Sequence, residues 1–117
     1  MIKTAMVLAA ALALTGCAHA PSTAYHWDGY QKNVYTYLKQ DAANPAELLQ
    51  SMNVEADAAR KAGRPLPPGY RAHIAMLMVQ LGQYDDASKQ LEAEKTAFPE
   101  STPYMDFLLK QMQGKKS

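Results

Sequence analysis

The segment Gly63-Arg64-Pro65-Leu66-Pro67-Pro68-Gly69 constrains this fold more than any other. Its three prolines fix φ and remove backbone donors, so neither a helix nor a sheet ladder can run through it. On either side the apolar residues recur at helical spacing. Upstream, Leu48, Leu49, Met52, Ala56 and Ala59 share one face. Downstream, Tyr70, Ile74, Leu77–Met78 and Leu81 do the same. The upstream helix has a clear start: Asn44 suits an N-cap, Pro45 the first helical position, and Glu47 lies where a capping box needs it. Gly63 ends it. Two amphipathic helices joined by a stiff connector must bury their faces on each other or on further helices.

The same punctuation continues. Gly82 breaks the helix expected over Tyr70–Leu81. The next runs from Tyr84 to Phe98, with Ala87, Leu91 and Phe98 inward, and stops before Pro99. A last helix follows from Thr102 or Pro103 to Met112, capped by Ser101 or Thr102, with Tyr104, Phe107, Leu108 and Met112 inward. Residues 114–117 read as a frayed basic tail. Before the break, an aromatic-rich helix is expected over Asp28–Lys39, with Trp27, Tyr30, Val34 and Tyr37–Leu38 on one stripe and Tyr25 and Tyr35 off it. Asp41-Ala42-Ala43-Asn44 is a connector. No segment alternates like a strand, and four Val and two Ile are too few to favour a sheet. The expected fold is all-α, two helical hairpins plus a C-terminal helix.

The N-terminus carries a different kind of signal. Lys3 precedes a short apolar run, Ala5–Leu14, and then Leu14-Thr15-Gly16-Cys17. The run is far short of the ~20 residues that span a bilayer, and the layout is that of a secretory signal peptide. Leu-Thr-Gly-Cys resembles the bacterial lipobox. That resemblance implies a signal peptide over residues 1–16, a diacylglyceryl thioether on Cys17 and acylation of the new amino terminus. Residues 17–24 then form the acylated cysteine and tether, residues 25–113 a helical domain and residues 114–117 the tail. Three acyl chains would hold the protein permanently, since each buried methylene contributes ~0.8 kcal/mol. Ala18 rather than Asp after the cysteine implies, by resemblance to enterobacterial sorting rules, the periplasmic face of the outer membrane. The plain alternative is an ordinary signal peptide cut near Ala18 or Ala20.

Removal of residues 1–16 from a chain of 117 leaves 101, enough for one small domain. Loss of Lys3 brings twelve basic residues to eleven, level with the eleven acidic ones. A balanced surface argues against nucleic acid. Cys17 is the only cysteine, so no disulfide staples the fold. Seven methionines suit an adaptable helical core.

Ala75-Met76-Leu77-Met78-Val79-Gln80-Leu81-Gly82-Gln83-Tyr84-Asp85-Asp86-Ala87 resembles the centre of a tetratricopeptide repeat. The resemblance covers Pro68–Ser101, with Ala75 and Ala87 as the small residues of close approach, Gly82 at the turn and Pro99 at the close. Arg71 stands where that family prefers Trp, and Glu94 where it prefers Ala. The first hairpin shows no such signature in register. The resemblance implies that Ala72, Met76, Val79 and Gln80 line a concave, partner-binding side.

The mature chain also resembles a family of small uncharacterised proteobacterial lipoproteins, a domain of unknown function. The matching pieces are Tyr25-His26-Trp27-Asp28-Gly29-Tyr30, Leu66-Pro67-Pro68-Gly69 with Ala72-His73, Glu94-Lys95 with Phe98-Pro99-Glu100-Ser101, and Phe107-Leu108-Leu109. The resemblance implies an outer-membrane assembly partner, because such genes often lie beside a lipoprotein resembling the curli secretion channel component.

Chemistry is sparse. His19 and His26 lie in and beside the tether, too irregularly for a metal site, and His73 sits in the third helix without a metal-binding pattern. No serine lies in a nucleophile elbow and no glycine-rich phosphate loop exists. Asp85-Asp86 are first-turn acids that complement the helix dipole. No cofactor, metal or small-molecule substrate is expected. The cluster of Tyr25, Trp27, Tyr30, Tyr35 and Tyr37 reads as core, as a partner-binding face or as a glycan-stacking platform. The expected function is a non-catalytic, membrane-tethered interaction module that holds other envelope proteins. Its alternative is a regulator of a periplasmic cell-wall enzyme, which a tether of at most ~25 Å, at 3.3–3.6 Å per residue, disfavours.

Overall fold

The computed structural model describes residues 1–3, 23–39 and 44–116. The lipobox with Cys17, most of the tether, His19 and residues 40–43 lie outside the described residues. The fold is all-α, and no strand occurs among the described residues. Its elements are α1 (Tyr30–Lys39), α2 (Pro45–Lys61), α3 (Tyr70–Gln80), α4 (Tyr84–Ala97), a 3₁₀ turn (Pro99–Ser101) and α5 (Thr102–Lys116). Each helix packs on the next in the chain, and α3 on α4 is the most extensive contact.

The helix ends follow from local chemistry. Asn44 Oδ1 accepts from Ala46 N at 3.0 Å, and Pro45 opens α2 as expected. Both α2 and α3 close with the same reciprocal pair of bonds. In α2, Gly63 N donates to Arg60 O and Arg64 N to Ala59 O. In α3, Gly82 N donates to Val79 O and Gln83 N to Met78 O. The second turn needs φ of 75° at residue 82, which glycine adopts without strain.

α3 is the central helix because both of its sides are buried. Tyr70, Ile74 and Leu77 join Leu48, Leu49 and Met52 of α2 in one cluster. Ala72 and Ala75 join Ala87 and Leu91 of α4 and Met105 and Met112 of α5 in another. The α2 and α3 faces match the sequence expectation. Burying a side chain such as Leu77 contributes ~1.5–3 kcal/mol.

Four expectations are corrected. α1 starts at Tyr30, not Asp28, because Asp28-Gly29 form a turn in which Tyr30 N donates to Trp27 O. Gly29 is required there: its φ is 73°, and a Cβ would meet Glu55 Cδ at 3.0 Å. The buried face of α1 also differs. Asn33 is its buried residue, while Trp27 and Leu38 are exposed. Tyr30, Val34 and Tyr37 are half-buried.

The inward face of α5 differs in part from the expected one. Met105 and Met112 face the core with Leu108 and Leu109 beside them, whereas Tyr104 and Phe107 are 58% and 54% exposed. Those two rings stack on each other outside, with centroids 6.3 Å apart and planes 15° from parallel. Leu108 and Met112 face in as expected, and flexible Met105 rather than Tyr104 joins them against Ala87 and Leu91 of α4. α5 also continues through the expected tail to Lys116, whose Nζ reaches Asp85 Oδ1 at 2.6 Å. That contact holds the Asp85 carboxyl below its usual range.

Candidate functional site

α3 and α5 diverge enough to leave an apolar groove of about 240 Å³. Met76, Val79 and Gln80 form its α3 wall, and Leu108, Met112 and Lys115 its α5 wall. Ala75 and Leu91 lie at its base and are themselves almost fully buried. Met76 is 42% exposed, a large apolar side chain held at the mouth of the groove. The spacing i, i+3, i+4 puts Met76, Val79 and Gln80 on one helix face. Gln80 Nε2 also donates to Tyr37 OH at 3.4 Å, which links the rim to α1.

Three of the four residues expected to meet a partner therefore share this groove. Ala72 does not. It is 8% exposed and belongs to the core cluster that contains Met105 and Leu91. One turn before Met76, the same face is already covered. Lys115 is the one titratable group among the residues that line the groove. The groove can exclude water and hold apolar side chains.

The aromatic cluster is mostly structural. Tyr25 packs on Phe98 (6.0 Å), Trp27 on Tyr25 (6.4 Å) and on Tyr30 (5.6 Å), and Tyr30 on Tyr70 (5.3 Å). This ladder ties the segment before α1 to the far end of α4. Phe98 is half-buried beneath it. Tyr70 is fully buried and donates to Met52 O at 2.8 Å. Burial, with the Glu55 and Tyr30 charges behind it, pushes its phenol far above its usual range. Tyr35 stands apart and exposed, with Lys39 Nζ 6.0 Å from its ring centroid.

His26, beside the tether, is a packed residue. It is 5% exposed, its N–H donates to Pro65 O at 2.9 Å, and its Nε2 lies 3.3 Å from Glu55 Oε2. Arg64 Nη2 reinforces this seam by donating to Tyr25 O at 2.7 Å and to Thr23 Oγ1 at 3.1 Å. His73 is buried edge-on against Tyr37 at 4.8 Å, and burial holds its pKa below the usual value. No cluster of metal-ligating side chains occurs among the described residues.

Sequence reasoning missed Glu94. It is 1% exposed, and its Oε1 accepts from Gly69 N at 2.6 Å. Gly69 is the N-cap of α3 and has no side chain of its own to cap with, so a carboxylate from α4 satisfies that terminus. The other oxygen, Oε2, lies 3.9 Å from Arg71 Nη1. Arg71 and Glu94 are the two positions that depart from the tetratricopeptide pattern, and they meet in space. Desolvation first, and the Glu94 charge second, also raise the Tyr30 phenol pKa.

The chain belongs to a family described as a domain of unknown function (DUF4810), whose model matches residues 24–108. The match starts in the segment that Arg64 and His26 fasten down and ends in α5. No curated protein and no solved structure matches the chain.

Proposed function

We propose that this chain is a lipoprotein held at the periplasmic face of the outer membrane through Cys17, where it acts as a non-catalytic protein-interaction module in envelope assembly or secretion. The observation that carries the binding part is the open apolar groove in which Met76 and Val79 face Leu108 and Met112. An apolar surface left uncovered beside a packed core is a feature of interaction sites. The anchoring part rests on Leu14-Thr15-Gly16-Cys17. No helix among the described residues is long and apolar enough to cross a membrane.

The α3–α4 unit supports a tetratricopeptide-like reading. Ala75 and Ala87, its small residues, are 1% and 0% exposed, and Gly82 turns the chain between the helices. In that reading Met76, Val79 and Gln80 belong to the concave side. The outer-membrane assembly partner implied by the lipoprotein resemblance would dock there.

A photo-crosslinking residue placed at Val79 in the full-length, membrane-inserted protein should join it to one envelope protein. The same residue at Val54, exposed on α2, should not. Equal crosslinking at both positions would remove the groove from the reading. Labelled palmitate should enter the wild type and be absent from Cys17→Ser.

A further inference from the structure

We propose that a second cleft, between α2, α3 and α4, binds an organic carboxylate that carries a compact apolar body. The cleft encloses about 460 Å³, within the range of ~300–1,000 Å³ common for small-molecule sites. Three arginines border it: Arg60 at the end of α2, Arg64 in the connector and Arg71 in α3. Asp57 is the one acid among the lining residues.

The arginines are not equally committed. Arg60 pairs with Asp57 at 3.0 Å on the exposed rim. Arg64 spends Nη2 on Thr23 and Tyr25. Arg71 Nη1 is buried and makes no protein hydrogen bond. Its 3.9 Å approach to Glu94 is an ion-pair distance, too long for a hydrogen bond. Nη1, closed to solvent, is the nitrogen that faces Glu94, so the edge offered to a ligand is that of Nε and Nη2, and two-point binding of a carboxylate matches its geometry.

Charge selects the ligand. Three arginines against Asp57 and Glu94 leave a local charge of +1, which a monoanion balances and a phosphate dianion exceeds. The remaining lining selects its body. Ala56, Leu66 and Ile74 offer apolar contact, while the amides of Asn53 and Gln90 can meet a peptide-like group. A free N-acylated amino acid and the end of a peptide chain share this chemistry.

The test is NMR titration of the full chain in detergent micelles with N-acetyl-leucine, its neutral amide, inorganic phosphate, and an octapeptide ending in leucine. N-acetyl-leucine should shift the Arg71 Nε–H and Gln90 side-chain amide signals, with a roughly millimolar Kd for so small a ligand. The neutral amide should leave them in place. Arg71→Lys, which keeps the charge but not the fork, should weaken binding about tenfold. Arg60→Gln, on the exposed rim, should weaken it about twofold. Binding of the octapeptide as well assigns the ligand to a chain end, and its failure beside binding of N-acetyl-leucine assigns a free small molecule. Equal binding of the neutral amide, response to phosphate alone, or full affinity in Arg71→Lys overturns the proposal.

Discussion

The α3–α4 hairpin and the α1 region are held by opposite means. In the hairpin, Ala75 and Ala87 are nearly inaccessible, so two backbones approach closely and Leu91 fills what remains. Among the described residues of the α1 region the contacts are of another kind. Long side chains bridge, in the ladder Phe98–Tyr25–Trp27–Tyr30–Tyr70, in His26 on Glu55 and in Arg64 on Thr23 and Tyr25, and the His26 backbone N–H adds a bond to Pro65 O. The buried residues of this region are polar ones, His26 and Asn33, and Asn33 Oδ1 accepts from Ser51 Oγ at 3.4 Å. Close packing of small residues produces a helical hairpin built from neighbouring segments of the chain. Bridging side chains produce an attachment whose geometry depends on partners far away in sequence.

The sharpest way to break this contrast is to attack the core of the C-terminal half. Met105→Ala should cost about 2–5 kcal/mol by chemical denaturation, as for other buried large-to-small changes. Next comes Glu94→Ala, which installs the residue that a tetratricopeptide repeat prefers. Here it should destabilise by about 1–3 kcal/mol, because Gly69 N–H loses its acceptor and Arg71 its counter-charge. Combined with Arg71→Leu it should cost less than the sum, by at least about 0.5 kcal/mol in a double-mutant cycle. Additive losses would show that the two positions are independent.

A smaller effect tests the bridged region. Arg64→Ala should cost about 1 kcal/mol and raise hydrogen exchange in residues 23–33 while leaving α4 protected. A uniform rise would show that both regions open together. His73 gives a pH signature. Burial holds its folded pKa below its ordinary value of 6.5, so the unfolded chain binds the proton first as pH falls. Its contribution is therefore complete above pH 6.5 and is lost as pH drops from 6.5 through the folded value. The melting temperature of His73→Leu should fall less steeply than that of the wild type across this window. Phe107→Ala should change stability by no more than about 0.5 kcal/mol, since its ring is 54% exposed and stacks on the likewise exposed Tyr104.

These differences follow what a linear pattern can hold. Helices α2, α3 and α4 were legible because their stops are local chemistry, glycine and proline, and their faces repeat at 3.6 residues. Met76, Val79 and Gln80 were legible as a common face for the same reason. On α5, Leu108 and Met112 were legible as inward, but the exposure of Tyr104 and Phe107 was not, because both they and Met105 with Leu109 continue the face of Leu108 and Met112 at helical spacing. Glu94 was legible as an anomaly but not as a cap. Its partner, Gly69 N–H, is a backbone group that sequence does not display, and Arg71 lies on a different helix. The partners of His26 were not legible, because Pro65 O and Glu55 come from the connector and α2. Ala72 was placed on the correct helix, but Met105, which joins it in the core cluster, was not among the residues expected inward.

The central claim is that the groove between α3 and α5 is where this protein meets its partner. The most direct measurement compares recovery of the envelope protein crosslinked at Val79 by acylated wild-type protein and by Met76→Glu with Val79→Glu, both purified from membranes. Both side chains are partly exposed, so the double variant should keep its helical circular dichroism. The account predicts that recovery of that partner is lost while the fold and the membrane anchor persist. Undiminished recovery by a folded double variant would contradict it.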